Sequence, residues 1–298
     1  MNIEDVRAFV ATVDSGSVGK AAIRLNLTQP AISRRIQRLE EDLGVALLDR
    51  ESKPAKATRA GEAAYRRCVA VLRATEVLRQ ETRGATDLGP LRLGLTYAIS
   101  DSILAPAVEA LRTSCPDVQL RVTTERSPLL KKQVDDGLLD AAIVAAMPNR
   151  PIDNPRATRL GTEKVVVVGP GDLPHKARRL ADLAELPWVI NPDGCGFRSQ
   201  LDQALASGGR PLNVTAEIWG VGPQLSLIAR GAGLGLVPAR LVAESPHRKS
   251  LQVLPVEDFE ASVAVWLVRS GAAGTFERAL DVLQETVSGL LETDAVSA

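Results

Sequence analysis

Three apolar stripes of helical period, parted by short turns, stand at the start of the chain and predict a tri-helical domain. Val6, Phe9, Val10 and Val13 fall at i, i+3, i+4 and i+7, one face of an amphipathic helix. Ser15-Gly16-Ser17 breaks that helix, and Ser17 is placed to cap a second one with Ala21, Ala22 and Leu25 on one face. Two alanines there allow a neighbouring helix to approach closely. After the turn Asn26-Leu27, Thr28 is the expected N-cap of a third helix that runs to about Glu40. Pro30 sits in its first turn, where a missing N–H costs little. Ile32, Ile36 and Leu39 are its buried face.

Further along, Asp42–Arg59 holds short apolar pieces around a Gly and a Pro, the pattern of a small β-hairpin, or wing. Ala60 to about Ala85 is a long helical stretch without Pro. Its Ala64, Cys68, Val71, Thr75 and Leu78 are spaced 4, 3, 4, 3, a coiled-coil-like seam that asks for a partner helix. Thr82–Pro90, with Gly84, Gly89 and Pro90, reads as a linker.

Beyond Pro90 the texture becomes alternating strands and helices. LRLGLT, VQLRVTT, DAAIVAA, KVVVVG, PWVIN, GLGLVP and ASVAVWLVR are the strands, with a helix after Ser100, another around Leu129–Asp136 and a last one over Gly274–Leu291. Such alternation predicts α/β units around mainly parallel sheets. Asn149–Pro155 and a return through Ala261–Arg269 suggest two subdomains joined by two crossings.

Composition narrows the partners. The net charge is zero, 36 basic residues against 36 acidic, yet Lys20–Arg59 holds nine Lys/Arg and five Asp/Glu. That local excess suits a DNA-binding start. Aromatic residues at 3% are too few for broad stacking platforms on single strands. Cys68, Cys115 and Cys195 are an odd set without CxxC spacing, which offers no disulfide framework or zinc site and fits a reducing compartment. MNIEDVRAFV lacks the basic and then apolar pattern of a signal peptide. No apolar run reaches the roughly 18 residues of a spanning helix. The expectation is a cytoplasmic protein with no membrane partner.

In a helix–turn–helix the second helix enters the major groove and its N-terminal residues reach base edges. With Ile32, Ile36 and Leu39 inward, Thr28, Gln29, Pro30, Ser33, Arg34 and Gln37 stand outward. Gln pairs with adenine, Arg with guanine, and Pro touches a thymine methyl. Arg35, Arg38, Arg50, Lys53, Lys56 and Arg59 are candidate phosphate contacts. A solvated polar helix face is the plain alternative; it leaves the tri-helical start, the wing and the basic excess unexplained.

The stretch FVATVDSGSVGKAAIRLNLTQPAISRRIQRLEEDLGVALLDR through KATRAGEA resembles the winged helix–turn–helix of the LysR-type transcriptional regulators. GPLRLGL, DGLLDAAIV and LIARGAGLGLVPARL stand where that family places similar segments. Leu48, where the family usually has Phe, and Val18-Gly19-Lys20 depart from its pattern. The resemblance implies a mainly α winged helix–turn–helix (1–59), a linker helix for dimerisation (60–88), and a periplasmic-binding-protein-like α/β effector domain (89–298). Subdomain I of that domain covers about 89–162 and 268–298, subdomain II about 163–267. It implies operator DNA, a small-molecule effector, a homodimer or homotetramer and RNA polymerase as partners, with no metal and no other cofactor.

In two-lobed domains of this kind a small ligand binds between the lobes, held by helix N-termini and strand-end loops. Thr96–Ser102 leaves a strand into a helix with the hydroxyls Ser100 and Ser102. Ser127-Pro128 starts a second helix, and NPDGCGFR leads into a third. Ala145–Met147 and Gly220–Gln224 are expected on the crossings and the opposite wall. The resemblance points to Ser100, Ser127, Met147, Cys195, Gly196, Phe197 and Gln224 as ligand contacts. Ser100 and Ser127 are equally well explained as helix caps. Hydroxyls and helix starts favour an anion, while Tyr97, Phe197 and Trp219 suit an aromatic ring; both remain open.

Cys195 admits a second role. A thiol near a helix N-terminus with Arg198 one turn on could have a depressed pKa and react with oxidants; no second cysteine is near it in sequence, although Cys115 could be close in the fold. Cys68, on the linker seam, suits packing. Catalysis is not expected: His175 and His247 lack nucleophile partners, and LGLTYA and GAGLGL do not make a dinucleotide fingerprint.

Overall fold

The first helix begins where Asn2, in extended conformation, accepts the Glu4 N–H on its side-chain oxygen at 2.9 Å. In this computed structural model, which describes residues 1–49, 52, 56–83, 89–173, 179–193, 195–206, 212–271 and 273–296, that helix is α1 (Ile3–Ser15). Gly16, at φ 63°, ends it in the left-handed conformation that glycine adopts freely. Ser17 does stand at the N-cap of α2 (Val18–Arg24), but its hydroxyl makes no capping bond. Ser15 Oγ instead donates back to the Ala11 carbonyl at 2.6 Å.

The third helix, α3 (Gln29–Leu43), starts at Thr28, whose hydroxyl accepts the Ala31 N–H at 3.4 Å. It runs past the expected end near Glu40 because the first left-handed residue is Gly44, at φ 69°. Ile32, Ile36 and Leu39 are buried as expected, with Phe9 and Leu47. The Glu40 carboxylate accepts the N–H groups of Leu47 (2.7 Å) and Leu48 (3.2 Å), which ties the wing to α3. The wing pairs β1 (Leu48–Asp49) with β2 (Lys56–Ala57), antiparallel. Arg50 and Lys53, two of the expected phosphate contacts, lie outside the described residues.

After the wing comes α4 (Arg59–Arg83). Its Gly61 is obligatory: a Cβ there would lie 1.9 Å from the Leu47 carbonyl oxygen. The expected seam divides in two. Ala64 and Cys68 pack into the head core with Tyr65, Val69 and Leu72, whereas Val71 and Leu78 are exposed, 38% and 60%. The head core therefore takes up the first turns of a stripe that the spacing had assigned whole to a partner helix.

The chain packs as two units, one holding Met1–Leu88 and the other Gly89–Lys132, Leu139–Arg269 and the residues from Phe276. The second unit runs β3 (Leu91–Thr96), α5 (Tyr97–Ser114), β4 (Leu120–Glu125), α6 (Ser127–Asp135), β5 (Ala141–Ala146) and β6 (Ala157–Pro170). It continues with α7 (Leu180–Leu183), β7 (Pro187–Ile190), α8 (Gly196–Ala206), β8 (Asn213–Glu217), α9 (Val221–Ala229) and β9 (Gly235–Pro238). α10 (Ala239–Glu244), β10 (Leu251–Leu254), β11 (Ala261–Arg269) and α11 (Glu277–Val296) complete it.

Its main sheet has the order β10-β6-β11-β5-β3-β4, with β9 on β6; β7 and β8 pair separately. The expectation of mainly parallel sheets is corrected here. β3 is parallel to β4 and β5, and β7 to β8, but β6, β9, β10 and β11 pair antiparallel. The reason is the two crossings: β6 is the outgoing strand and β11 returns alongside it, from Val165↔Ala261 to Ala157↔Val268 with one register shift between Val265 and Trp266. A strand that returns beside its outgoing neighbour must run against it. The outgoing crossing is thus the strand β6 itself, and Asn149–Pro155 only leads into it. Helix α5 also begins three residues before Ser100, directly from the extended Thr96.

Candidate DNA interface and effector cleft

On α3 the residues Thr28, Gln29, Pro30, Ser33, Arg34 and Gln37 are exposed, while the opposite side of the helix is held in the core. Gln37 Nε2 donates to Glu41 Oε1 at 3.2 Å, one turn on. Arg35 and Arg38 have a task the sequence did not suggest. Arg35 pairs with Glu4 at 3.1 Å, and Arg38 with the buried Asp5 carboxylate at 2.6 Å. Both acids lie in the first turn of α1, where the helix dipole favours them. These ion pairs hold α3 against α1, so part of the positive charge counted toward phosphates is balanced within the head. Lys56 and Arg59 are exposed beside the wing.

In the second unit a cleft of about 370 Å³ opens between strand ends and helix starts. Eight of the expected effector residues line it: Thr96, Ser127, Ala145, Met147, Cys195, Gly196, Phe197 and Trp219. Three do not. Ser100 belongs to a neighbouring hollow with Tyr97, Asp101 and Gly220, and its hydroxyl donates to the Tyr97 carbonyl at 3.3 Å. Ser102, one step round α5, is buried and bonds Arg240 Nη2 at 2.8 Å. Gln224 is fully buried and donates to the Val189 carbonyl at 2.8 Å, which ties α9 to β7. Helical phase turns Ser102 and Gln224 away from the cleft.

Three basic side chains line the cleft that sequence reasoning did not assign: Arg126, Lys131 and Arg150. Arg126 directly precedes the Ser127-Pro128 helix start, and that adjacency was the available signal. Ser127 Oγ accepts the Ala145 N–H at 3.1 Å, which joins the start of α6 to the end of β5. Two ties lie beside the cleft. Tyr97 and Trp219 stack with ring centroids 4.8 Å apart. Asp101 Oδ2, from α5, accepts the Val221 and Gly222 N–H groups at 2.9 and 3.2 Å and so caps α9. Deeper, Arg240 Nη2 pairs with the buried Glu163 carboxylate at 2.7 Å.

Cys195 occupies the N-cap position of α8, is buried, and its sulfur takes the N–H groups of Phe197 and Arg198. Burial pushes the thiol pKa up and outweighs the lowering by those two N–H groups and by Arg198. Arg198 is itself engaged by Glu217, Asp193 (3.2 Å) and Asp202 (3.3 Å). The expected depression of the Cys195 pKa is therefore corrected: its guanidinium neighbour spends its charge on carboxylates and the pocket is too dry. Cys115 caps the far end of α5, a helix whose second residue, Ala98, lines the cleft about 25 Å away at 1.5 Å per residue. It is not within the roughly 7 Å that a disulfide with Cys195 requires. All three cysteines are free and buried. Among the described residues no helix is long and apolar enough to cross a membrane, and no His/Cys/Asp/Glu group is arranged to hold a metal.

One unit thus presents an exposed polar helix face and the other a cleft lined by strand ends and helix starts. Residues 3–62 match the bacterial regulatory helix-turn-helix proteins of the lysR family, and residues 84–287 match the LysR substrate binding domain. The chain belongs to the LysR family of transcription regulators. It is thus a DNA-binding regulator with an N-terminal helix–turn–helix and a C-terminal domain of the substrate-binding type. A hydrogen peroxide-inducible genes activator from Pectobacterium carotovorum is 28% identical over 303 residues, covering 98% of this chain and 99% of the relative. Among solved structures, full-length OxyR from Pseudomonas aeruginosa has TM-score 0.75 at 22% identity, covering 96% and 94% of the two chains. Full-length CbnR in complex with its target DNA has TM-score 0.65 at 22% identity, covering 96% and 99%. These structures share the fold of the regulator.

Proposed function

We propose that this LysR-family regulator binds paired operator half-sites as a homodimer or homotetramer in the cytoplasm, and that a small molecule in the cleft changes its transcriptional output. The carrying observation is the cleft: lined by residues from Thr96 on β3 to Val263 on β11, and flanked by the Tyr97–Trp219 stack and the Asp101 cap on α9. A ligand that binds better when the lobes are closed shifts the population toward closure, and the subunits carrying the reading helices re-angle with it. Val71 and Leu78, exposed on α4, supply apolar surface for a helix of a second copy. The CbnR complex supports double-stranded DNA as the partner of the head. A footprint and DNA-bend measurement on an operator selected from random duplexes tests the proposal. An effector should alter the footprint or the bend; identical values with and without every ligand that binds the cleft would overturn it.

A second role has its own support. The peroxide-responsive relatives, and a thiol lining the cleft at a helix start, are compatible with an oxidant as the signal acting at Cys195. The raised thiol pKa and the remoteness of Cys115 weigh against it. If Cys195→Ser leaves a peroxide response of operator binding intact, the thiol is not the sensor.

A further inference from the structure

We propose, building on the cleft as the effector site, that its ligand is a small non-aromatic organic acid carrying more than one negative charge. The charge lining the cleft has a single sign. Arg126, Lys131 and Arg150 contribute to the wall, and no Asp or Glu does. The ion pair that compensates Arg126 is loose, 3.8 Å to Glu125, and Lys131 and Arg150 have no acidic partner among the described residues. Cations converging on one partly enclosed space repel one another, and a bound anion removes that repulsion. A neutral or cationic occupant leaves it in place.

The cations come from two places in the fold, which is what favours more than one charge. Arg126 and Lys131 flank the first turns of α6, whereas Arg150 follows β5 on the way to β6. Between them, Ser127 Oγ accepts the Ala145 N–H, so its own O–H is left to donate to a carboxylate. Met147, Ile152 and Val263 add apolar lining for a short carbon body.

The rings offer an aromatic ligand little surface. Trp219 presents a face to Tyr97 at 4.8 Å, and Phe197 is 1% exposed, packed into the wall. With three cations and no acid on its wall, the cleft favours the anion of the two alternatives that the sequence left open.

Calorimetric titration of the full-length protein with succinate, citrate, butyrate, succinamide and benzoate tests this, at low and high salt. Succinate or citrate should bind, and more tightly than butyrate. Binding should weaken with salt, and by about tenfold or more in Arg150→Gln or Lys131→Gln. Unfolding temperatures of the unliganded variants check that they fold. Succinamide or benzoate binding as tightly as succinate, or none of the acids binding, overturns the proposal. Ser199→Trp, which fills the cleft from an exposed position, separates the two levels. If it abolishes binding of a neutral compound, the site stands and the anion class falls. If binding of every compound survives it, the cleft itself is not the effector site.

Discussion

The exposed face of α3 and the wall of the cleft are built on opposite plans. Gln29, Ser33 and Arg34 come from consecutive turns of one helix, and the residues behind them, Ile32, Ile36 and Leu39, are neighbours in the same stretch. The cleft draws on Thr96 at one end of its unit and Val263 near the other, with pieces from six elements or their loops between. The head holds its geometry by apolar packing and two ion pairs to α1. The cleft region relies on long-range polar ties: Asp101 to α9, Ser102 and Glu163 to Arg240, and Gln224 to β7. A surface that must present the same side chains to every base pair suits a rigid local scaffold. A site that must report occupancy suits links between distant segments, each able to break.

If that contrast is right, the largest effect comes from the buried pair. Glu163→Ala should cost about 3–5 kcal/mol, because it removes the buried carboxylate that the buried Arg240 guanidinium meets at 2.7 Å. Denaturant unfolding followed by Trp188, buried in the second unit, would measure it. A loss below about 1 kcal/mol, well short of that range, would show that the tie is replaceable.

Asp101→Ala should have a middling effect, about 0.5–2 kcal/mol, the usual cost of a lost helix cap. Its sharper signature is coupling. Ligand binding in the cleft should change while the affinity of the head for random duplex DNA stays as in the parent. Equal changes in both would blur the division between the two regions.

The smallest effect concerns Cys195. Its folded pKa lies above its unfolded value, so above roughly pH 8.5 the unfolded chain releases a proton that the folded one keeps. Stability from this group is present below that pH and falls as pH rises through it. Cys195→Ser should flatten that alkaline slope and preserve the cap on α8. An unchanged slope between pH 8 and 10 would mean that the thiol does not titrate differently on folding.

The same contrast explains what could be read in advance. Helical period, Thr28 and the alternation of buried and exposed positions are local properties, so α1 to α4, β3 and β11 were legible within a few residues. β8 and β10 were not, because five- and four-residue strands with exposed positions carry little pattern. In the cleft, strand-end and helix-start logic found Ser127, Met147 and Phe197. It failed for Ser102 and Gln224, where one step of helical phase separates lining from core. Arg126 and Arg150 read as solvated charges until the fold brings the end of β5 beside the start of α6. Arg35 and Arg38 went the other way: their acids are more than thirty residues earlier, and no spacing rule connects them.

The central claim is that α3 specifies sequence through Gln29, Ser33 and Arg34 while the rest of the chain governs when it does so. Selection of bound sequences from a random duplex pool, with the parent chain and with Arg34→Ala, tests it most directly. The parent should enrich two related half-sites, and the variant should lose preference at one base pair in each, a cost of about 1–3 kcal/mol there, with the rest of the motif intact. Enrichment of the same motif at the same strength by both proteins would contradict the claim.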